Sequence, residues 1–381
     1  MRLLMLCYEF PPLGGGGSRV AFGLSKELAR LGYEVDLVTM GFRGLPPVEF
    51  VGGVRVHRVR CLRRRADRCT APEALSYLLA ALPAVWRLVR RRRYDFLHAH
   101  FIFPDGLIVW LVQRATGVPY VITAHGSDVP GHNPHRFVTA HRLLAPVWNA
   151  VVRDAAQLVC PSDRLRSLIS ASSPEARTTV IPNGINVADF TGSNGDKYAR
   201  RILIVGRMVE GKGVQHVLAA LEGFSKKDYE LHIVGDGPYL PALRELAQRQ
   251  DAVATFWGWL DHDSSNLKTL YETSSIFVLP SEAENFPVVL LEAMASGLAI
   301  ITTEGTGCAE VVGDAALLVS PKDPGAIKHA LSRLIRDVAL QRALGAAGRR
   351  RLTEHFSWAM VAQQYARLYA EHLIGQGAVT P

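Results

Sequence analysis

The sequence has no continuous apolar run of the ~18 or more residues that a membrane-spanning helix requires. Its five cysteines, Cys7, Cys61, Cys69, Cys160 and Cys308, form no Cys-x-x-Cys pair and no metal-ligand spacing. They read as reduced thiols rather than a disulfide framework. The opening stretch MRLLMLCYEF reaches Glu9 too soon for a signal peptide, so the expected location is the cytoplasm. No zinc-finger or basic-aromatic nucleic-acid motif accompanies the cationic excess, so no nucleic-acid partner is expected.

What is present is the composition of an ordinary globular protein, 48% hydrophobic and 20% charged. A chain of 381 residues is long for one core and suits two domains. The charge is lopsided: residues 1–178 hold 24 Lys and Arg against 13 Asp and Glu, net +11, and the rest hold 19 against 22, net −3. RRRADR (63–68) and RRRR (90–93) concentrate it. Such a field attracts anionic lipid or anionic substrate. The apolar helical pattern APEALSYLLAALPAVWRLVRRRR (71–93) ends in the second cluster, so a peripheral site on the anionic cytoplasmic membrane face is one expectation. Simple packing of that helix on a sheet is the other.

Short apolar runs alternate with helical patterns throughout. Strands are expected at Leu3–Cys7, Val35–Thr39, Val54–Val59, Phe96–His100, Tyr120–Thr123, Leu158–Cys160 and Thr179–Ile181. A second series falls at Ile202–Val205, Leu231–Val234, Ala254–Trp257, Ile276–Leu279 and Leu298–Thr302. This alternation predicts βαβ units in parallel sheets covered on both faces. The expected architecture is α/β, two Rossmann-like doubly wound domains facing a central cleft. Residues 1–180 form the first, 181–200 a Gly-, Asn- and Asp-rich linker, 201–355 the second, and 356–381 a terminal helix packing back on the first domain.

In such sheets ligands sit beyond the C-terminal ends of strands. After the first strand comes YEFPPLGGGGSRV (Tyr8–Val20), a glycine loop feeding a helix. It lacks the Gly-Lys-Ser/Thr of a P-loop and the spacing of a dinucleotide fingerprint, yet suits a phosphate or sugar; a flexible turn is the plainer reading. GRMVEGKG (Gly206–Gly213) places Arg207 and Lys212 at a helix start, a seat for a diphosphate unless both are merely solvated cations. In PSEAENFPVVLLEAMASG (Pro280–Gly297) the helix is apolar except for Glu292, a carboxylate that must be paired or face a polar space. Glu284 lies in the preceding loop. AHGSD sets His125 and Asp128 at another strand end, GDGP (235–238) is a further strand-end turn, HAH (98–100) lacks a third metal ligand, and DHD (261–263) reads as turn chemistry.

Together GGGG, HGSD, PNGIN, GRMVEGKG, GDGP and Glu284 to Glu292 as E-x7-E, in this order from Leu3 to about Leu373, resemble the retaining family-4 glycosyltransferases of the GT-B fold (glycosyl transferases group 1). ENFP departs from the Glu-Gly-Phe-Gly of many members. The resemblance implies an NDP-sugar-dependent hexosyltransferase acting on a glycan, lipid-linked acceptor in cell-surface polysaccharide or glycolipid biosynthesis, without metal or cofactor. Arg207 and Lys212 would hold the diphosphate, Glu292 the ribose, and Glu284 with the backbone of Asn285, Phe286, Pro287 and Val288 the donor sugar. His125 would contact the sugar near its reacting carbon, Gly16 and Gly17 the donor phosphates, and Gly15 and Asp128 the acceptor. His125, Glu284, Arg207 and Lys212 form the implied catalytic set. A nucleotide-sugar epimerase or a non-catalytic scaffold on the same fold are the alternatives.

Overall fold

The computed structural model describes residues 1–66, 68–132, 138–190, 198–262 and 264–377, with the side chains of 138–142 and 375–377 excepted. Asp67 of the first arginine cluster, Asp263 of DHD, residues 191–197 of the expected linker and residues 378–381 lie outside the described residues. The chain divides into two units, Met1–Gly184 with Trp358–Pro381, and Ile185–Ser357.

The first unit is built on β1 (Arg2–Leu6), β2 (Glu34–Met40), β3 (Val48–Val51), β4 (Val54–Val59), β5 (Phe96–His100), β6 (Tyr120–Thr123), β7 (Gln157–Cys160) and β8 (Thr178–Val180). Their order is β3-β4-β2-β1-β5-β6-β7-β8. Neighbours run parallel except β3 against β4. Helices α1 (Gly16–Arg30), α2 (Ala71–Arg91), α3 (Leu107–Thr116), α4 (Val138–Arg153) and α5 (Asp163–Ser172) connect them. Strands apolar on both sides need cover on both faces. Tyr77, Ala81 and Val85 of α2 join Leu4, Leu6, Leu97 and Ala99 in one core. Ala21, Leu24 and Leu28 of α1 join Leu3, Met5 and Phe96 in the other. A capping box starts α2, the Glu73 carboxylate accepting the Thr70 backbone N–H at 2.7 Å.

The second unit has one fully parallel sheet of β9 (Tyr198–Val205), β10 (Glu230–Val234), β11 (Ala254–Gly258), β12 (Ser274–Leu279), β13 (Ala299–Thr303) and β14 (Ala316–Val319), in the order β11-β10-β9-β12-β13-β14. On one face lie α6 (Val214–Leu221), α7 (Leu240–Arg249) and α11 (Pro324–Arg336), and on the other α8 (Ser265–Thr273), α9 (Val288–Ala295), α10 (Gly307–Val312) and α12 (Val338–His355). The last helix, α13 (Trp358–Gly377), belongs to the first unit, where Tyr365, Leu368 and Tyr369 join the α1 core.

Two strands escape the sequence pattern. β3 is a four-residue edge strand whose Phe50 is 69% exposed, and β14 is a four-residue edge with only Val319 buried. In both sheets the strand order reverses around the first strand of the unit, between β1 and β5 and between β9 and β12. Such a switch point opens a crevice at the strand ends, and the loops there are the natural ligand-bearing ones.

Candidate functional site

In the second unit, three loops meet at the β9/β12 switch point. The loop after β9 is held by the GDGP turn: Met208 N–H donates to Asp236 O at 3.0 Å. A Cβ on Gly235 would stand 1.8 Å from Gly206 O, and one on Gly237 would stand 2.3 Å from Met208 O. These glycines therefore let two loops interleave. Gly213 has φ +73°, and its Cβ would lie 2.4 Å from Pro280 O, tying the start of α6 to the loop after β12. Glu282 N–H adds a bond to Gly211 O at 2.9 Å.

On this frame Arg207 is exposed, and its guanidinium has no hydrogen-bond or ion-pair partner among the described residues. Lys212 and Glu284 form an ion pair with each other, both side chains largely screened from solvent. The sequence placed each of them beside a ligand but gave no sign that they pair. Asn285 and Phe286 are buried, Phe286 edge-on to Phe356. Gly307 N–H donates to Glu284 O at 3.0 Å, and a Cβ there would lie 1.5 Å from Asn285 O. Pro287 is the N-cap of α9, Val288 its half-buried first residue, and Gly297, φ +67°, follows its end.

Glu292 is 1% exposed. Tyr271 donates its hydroxyl to Oε2 at 2.6 Å, and His262 Nδ1 lies 3.5 Å from Oε1. The lone carboxylate of an apolar helix is thus hydrogen-bonded from α8, with the His262 ring of the preceding turn close by. His262 escaped the sequence reading, hidden inside a triplet taken as turn chemistry. Asp261 does accept the Ser264 N–H at 3.0 Å, where α8 begins.

In the first unit the four glycines divide by cause. Gly14 has φ +87°, donates to Ala66 O at 2.8 Å, and a Cβ would lie 2.6 Å from Glu9 Cβ. A Cβ on Gly17 would lie 2.6 Å from Phe101 Cζ and 3.5 Å from His125 Cγ. Gly15 and Gly16 are exposed, and a Cβ on Gly15 would meet nothing within 4 Å. Gly15 is the N-cap of α1 and supplies no side-chain bond.

His125 is half-buried between Phe101, at 4.4 Å between ring centres, and His100, stacked at 5.4 Å. Enclosure pushes its pKa down to about 3, so the ring is neutral at pH 7. Asp128 braces this loop: Oδ1 accepts the backbone N–H of His125 at 3.1 Å and of Gly126 at 2.9 Å, and Oδ2 that of Ile102 at 2.8 Å. The carboxylate is buried, and burial raises its pKa. Its oxygens face backbone. Among the described residues no group of three or more His, Cys, Asp or Glu could hold a metal ion.

The basic clusters need one correction. Arg63 is buried, donating to Glu9 Oε1 at 2.9 Å and to Ala66 O at 3.1 Å, so it holds the glycine loop and is no part of a surface field. Arg92 is half-buried and donates to Asp36 at 3.4 Å. Arg64, Arg65, Arg68, Arg90, Arg91 and Arg93 are exposed. The outer side of α2 exposes Leu75 and Leu79 as well, and an apolar cavity of about 380 Å³ opens between Leu82, Pro83 and Trp86 of α2 and Leu111 and Val112 of α3. Among the described residues no helix is long and apolar enough to cross a membrane.

Comparison with known proteins matches each half of the chain to a family profile. Residues 14–189 match "Glycosyltransferase Family 4" and residues 199–337 match "Glycosyl transferases group 1". An uncharacterized glycosyltransferase of Methanocaldococcus jannaschii is 25% identical across 97% of this chain and 98% of its own length. Sucrose-phosphate synthase from Thermosynechococcus elongatus superposes with a TM-score of 0.86, at 23% identity, over 98% of this chain and 99% of that one. Anabaena HepE in complex with UDP-glucose superposes at 0.76, 17% identical, over 98% and 100%.

Proposed function

This chain belongs to the family 4 and group 1 glycosyltransferases of the GT-B fold, and from that premise we propose that it transfers a sugar from a nucleoside-diphosphate sugar to a glycan acceptor with retention of configuration. The observation that carries the reading is Arg207, whose unpartnered guanidinium sits on the loop after β9 at the β9/β12 switch point, five residues before Lys212 and shortly before α6 begins at Val214. Two cations and a helix N-terminus suit a diphosphate and need no metal. The Lys212–Glu284 pair exchanges partners when donor binds, Lys212 turning to the phosphates and Glu284 to sugar hydroxyls. Glu292 takes the ribose hydroxyls in place of His262, and the backbone of Asn285 to Val288 lines the sugar. The first unit supplies the acceptor side through the backbone of Gly15 to Gly17 and the neutral His125.

In the chemical step the bond from the anomeric carbon to the diphosphate oxygen breaks, and Arg207 and Lys212 stabilise the charge left on that oxygen. The acceptor hydroxyl attacks from the same face and gives its proton to the departing phosphate. No enzyme nucleophile is required. Thermal-shift titration with UDP, ADP, GDP and UDP-glucose tests the donor assignment. A ligand at 100 times its Kd should add about 2.7 kcal/mol to stability. The reading fails if none of these shifts the wild type, or if Arg207→Ala responds as the wild type does.

The acceptor is assigned as lipid-linked because the exposed leucines of α2 and the six exposed arginines together suit an anionic bilayer. At about 1 kcal/mol per basic residue near such a surface, half of the six suffice for reversible docking. Sedimentation with phosphatidylglycerol vesicles, released by salt, is expected; equal sedimentation with neutral vesicles, or none with either, removes the membrane and leaves the transferase.

A further inference from the structure

Three histidines stand in a row inside the first unit. His98 stacks on His100 at 4.7 Å and His100 on His125 at 5.4 Å, with interplanar angles of 24° and 21°. They come from β5 and from the loop after β6. Both nitrogens of His98 are occupied, Nε2 by Thr123 Oγ1 at 2.9 Å and Nδ1 by Tyr369 Oη at 2.7 Å. His100 Nδ1 lies 3.2 Å from His125 Nε2. The other nitrogen of His100, Nε2, is fully buried and has no hydrogen-bond partner among the described residues.

A neutral imidazole carries one N–H, so two arrangements are open. In one, His125 Nε2–H donates to His100 Nδ1. The His100 proton then sits on Nε2, an orphaned buried donor. In the other, His100 Nδ1–H donates to His125 Nε2, and the orphan at His100 is a bare lone pair. Orphaned buried donors are the rarer and more costly defect. The second arrangement leaves His125 protonated on Nδ1, the nitrogen that is not sealed in the core.

We propose that His100 is a positioning residue that fixes the tautomer of His125, so that His125 presents a neutral Nδ1–H donor to a bound sugar or acceptor oxygen. Burial supports the neutral forms, holding His98 near 3 and His100 well below its ordinary value. The Phe101 ring packs against the His125 ring at 4.4 Å between centres, and Gly17 adds no side chain that would push Phe101 from that place. The tautomer is a property of the free protein. Its use in catalysis rests on the function proposed above.

The test is long-range proton–nitrogen correlation NMR on the full-length protein labelled with ¹⁵N-histidine, with His125 assigned by its loss in His125→Gln. In the wild type His125 should carry its proton on Nδ1. His100→Phe keeps the stacked ring and removes the donor, and His125 should revert to the Nε2–H form that free imidazole side chains prefer. His100→Asn puts an amide N–H close to the former Nδ1 and should restore the wild-type signature. A wild-type His125 protonated on Nε2 overturns the proposal without any variant. So does a His100→Phe protein whose His125 is unchanged. Because no substrate is used, a wrong role for His125 in transfer shows up separately, as unimpaired turnover in His125→Ala, and leaves the tautomer result standing.

Discussion

The two units reverse strand order at the same place and furnish that place with opposite chemistry. At the β9/β12 switch point of the second unit stand Arg207, Lys212 and Glu284, with Glu292 behind them. At the β1/β5 switch point of the first stand glycines, Phe101 and, one strand on, His125. The acids there are consumed internally. Asp128 takes three backbone N–H groups, Asp105 the Tyr8 N–H and the Tyr77 hydroxyl, and Glu9 the Arg63 guanidinium. One topology thus makes a charged seat and a neutral one. What differs is the loops, and with them the ligand each unit suits.

The sharpest way to break this comparison is to discharge the second unit. Arg207→Ala should lower kcat/KM by about 100-fold or more with an unchanged melting temperature, because the side chain supports no packing. Near-wild-type turnover would make the two seats equivalent. Next in size is Glu292→Gln, which keeps the Tyr271 hydrogen bond and removes the charge. Loss of charge-assisted bonds of about 1.5–3 kcal/mol should weaken nucleoside-diphosphate binding about 10- to 150-fold by calorimetry. Unchanged affinity would take Glu292 out of the donor site.

The glycines sharpen the contrast from the other side. Gly17→Ala forces the Phe101 ring to move, and should cost about 1–3 kcal/mol in denaturant unfolding. Gly211→Ala, where a Cβ meets nothing within 4 Å, should stay within about 0.5 kcal/mol. Equal costs would mean that the first unit's loop is not packed against its rings. Smaller than the Gly17 cost is that of Tyr369→Phe, which deletes the bond to His98. About 1 kcal/mol should go, read as a lowered transition of the first unit with the second unmoved.

Much of this was legible in order along the chain. Apolar runs such as Leu3–Leu6 and Ile276–Leu279 announce themselves because both faces of their strands are buried. β3 and β14 do not, since a four-residue edge with exposed side chains has no apolar run to show. Arg207, Lys212, Glu284 and Glu292 stood out through their place after strands or inside an apolar helix. What stayed hidden was pairing across long separations. Lys212 meets Glu284 72 residues away, Tyr271 meets Glu292 21 away, and Arg63 meets Glu9 54 away. Local periodicity carries no information on such partners. It therefore assigned Arg63 to solvent, and it gave no sign that the Phe101 ring fills the space a Cβ on Gly17 would need.

The last helix has a consequence for how the protein is made. Residues 185–357 are an insertion within the first unit, which resumes at Trp358. Tyr365 reaches Thr123 across 242 residues and Tyr369 reaches His98 across 271. At ~5–20 residues per second, a ribosome takes on the order of 15–55 s to emit that intervening chain. For that time the face of the first sheet bearing Phe96 and His98 has α1 but lacks the cover of α13, while the second unit, contiguous in sequence, is free to fold. The domain begun first is completed last. A chain stopped just before Trp358 has a complete second unit and a first unit that still lacks one wall of its core.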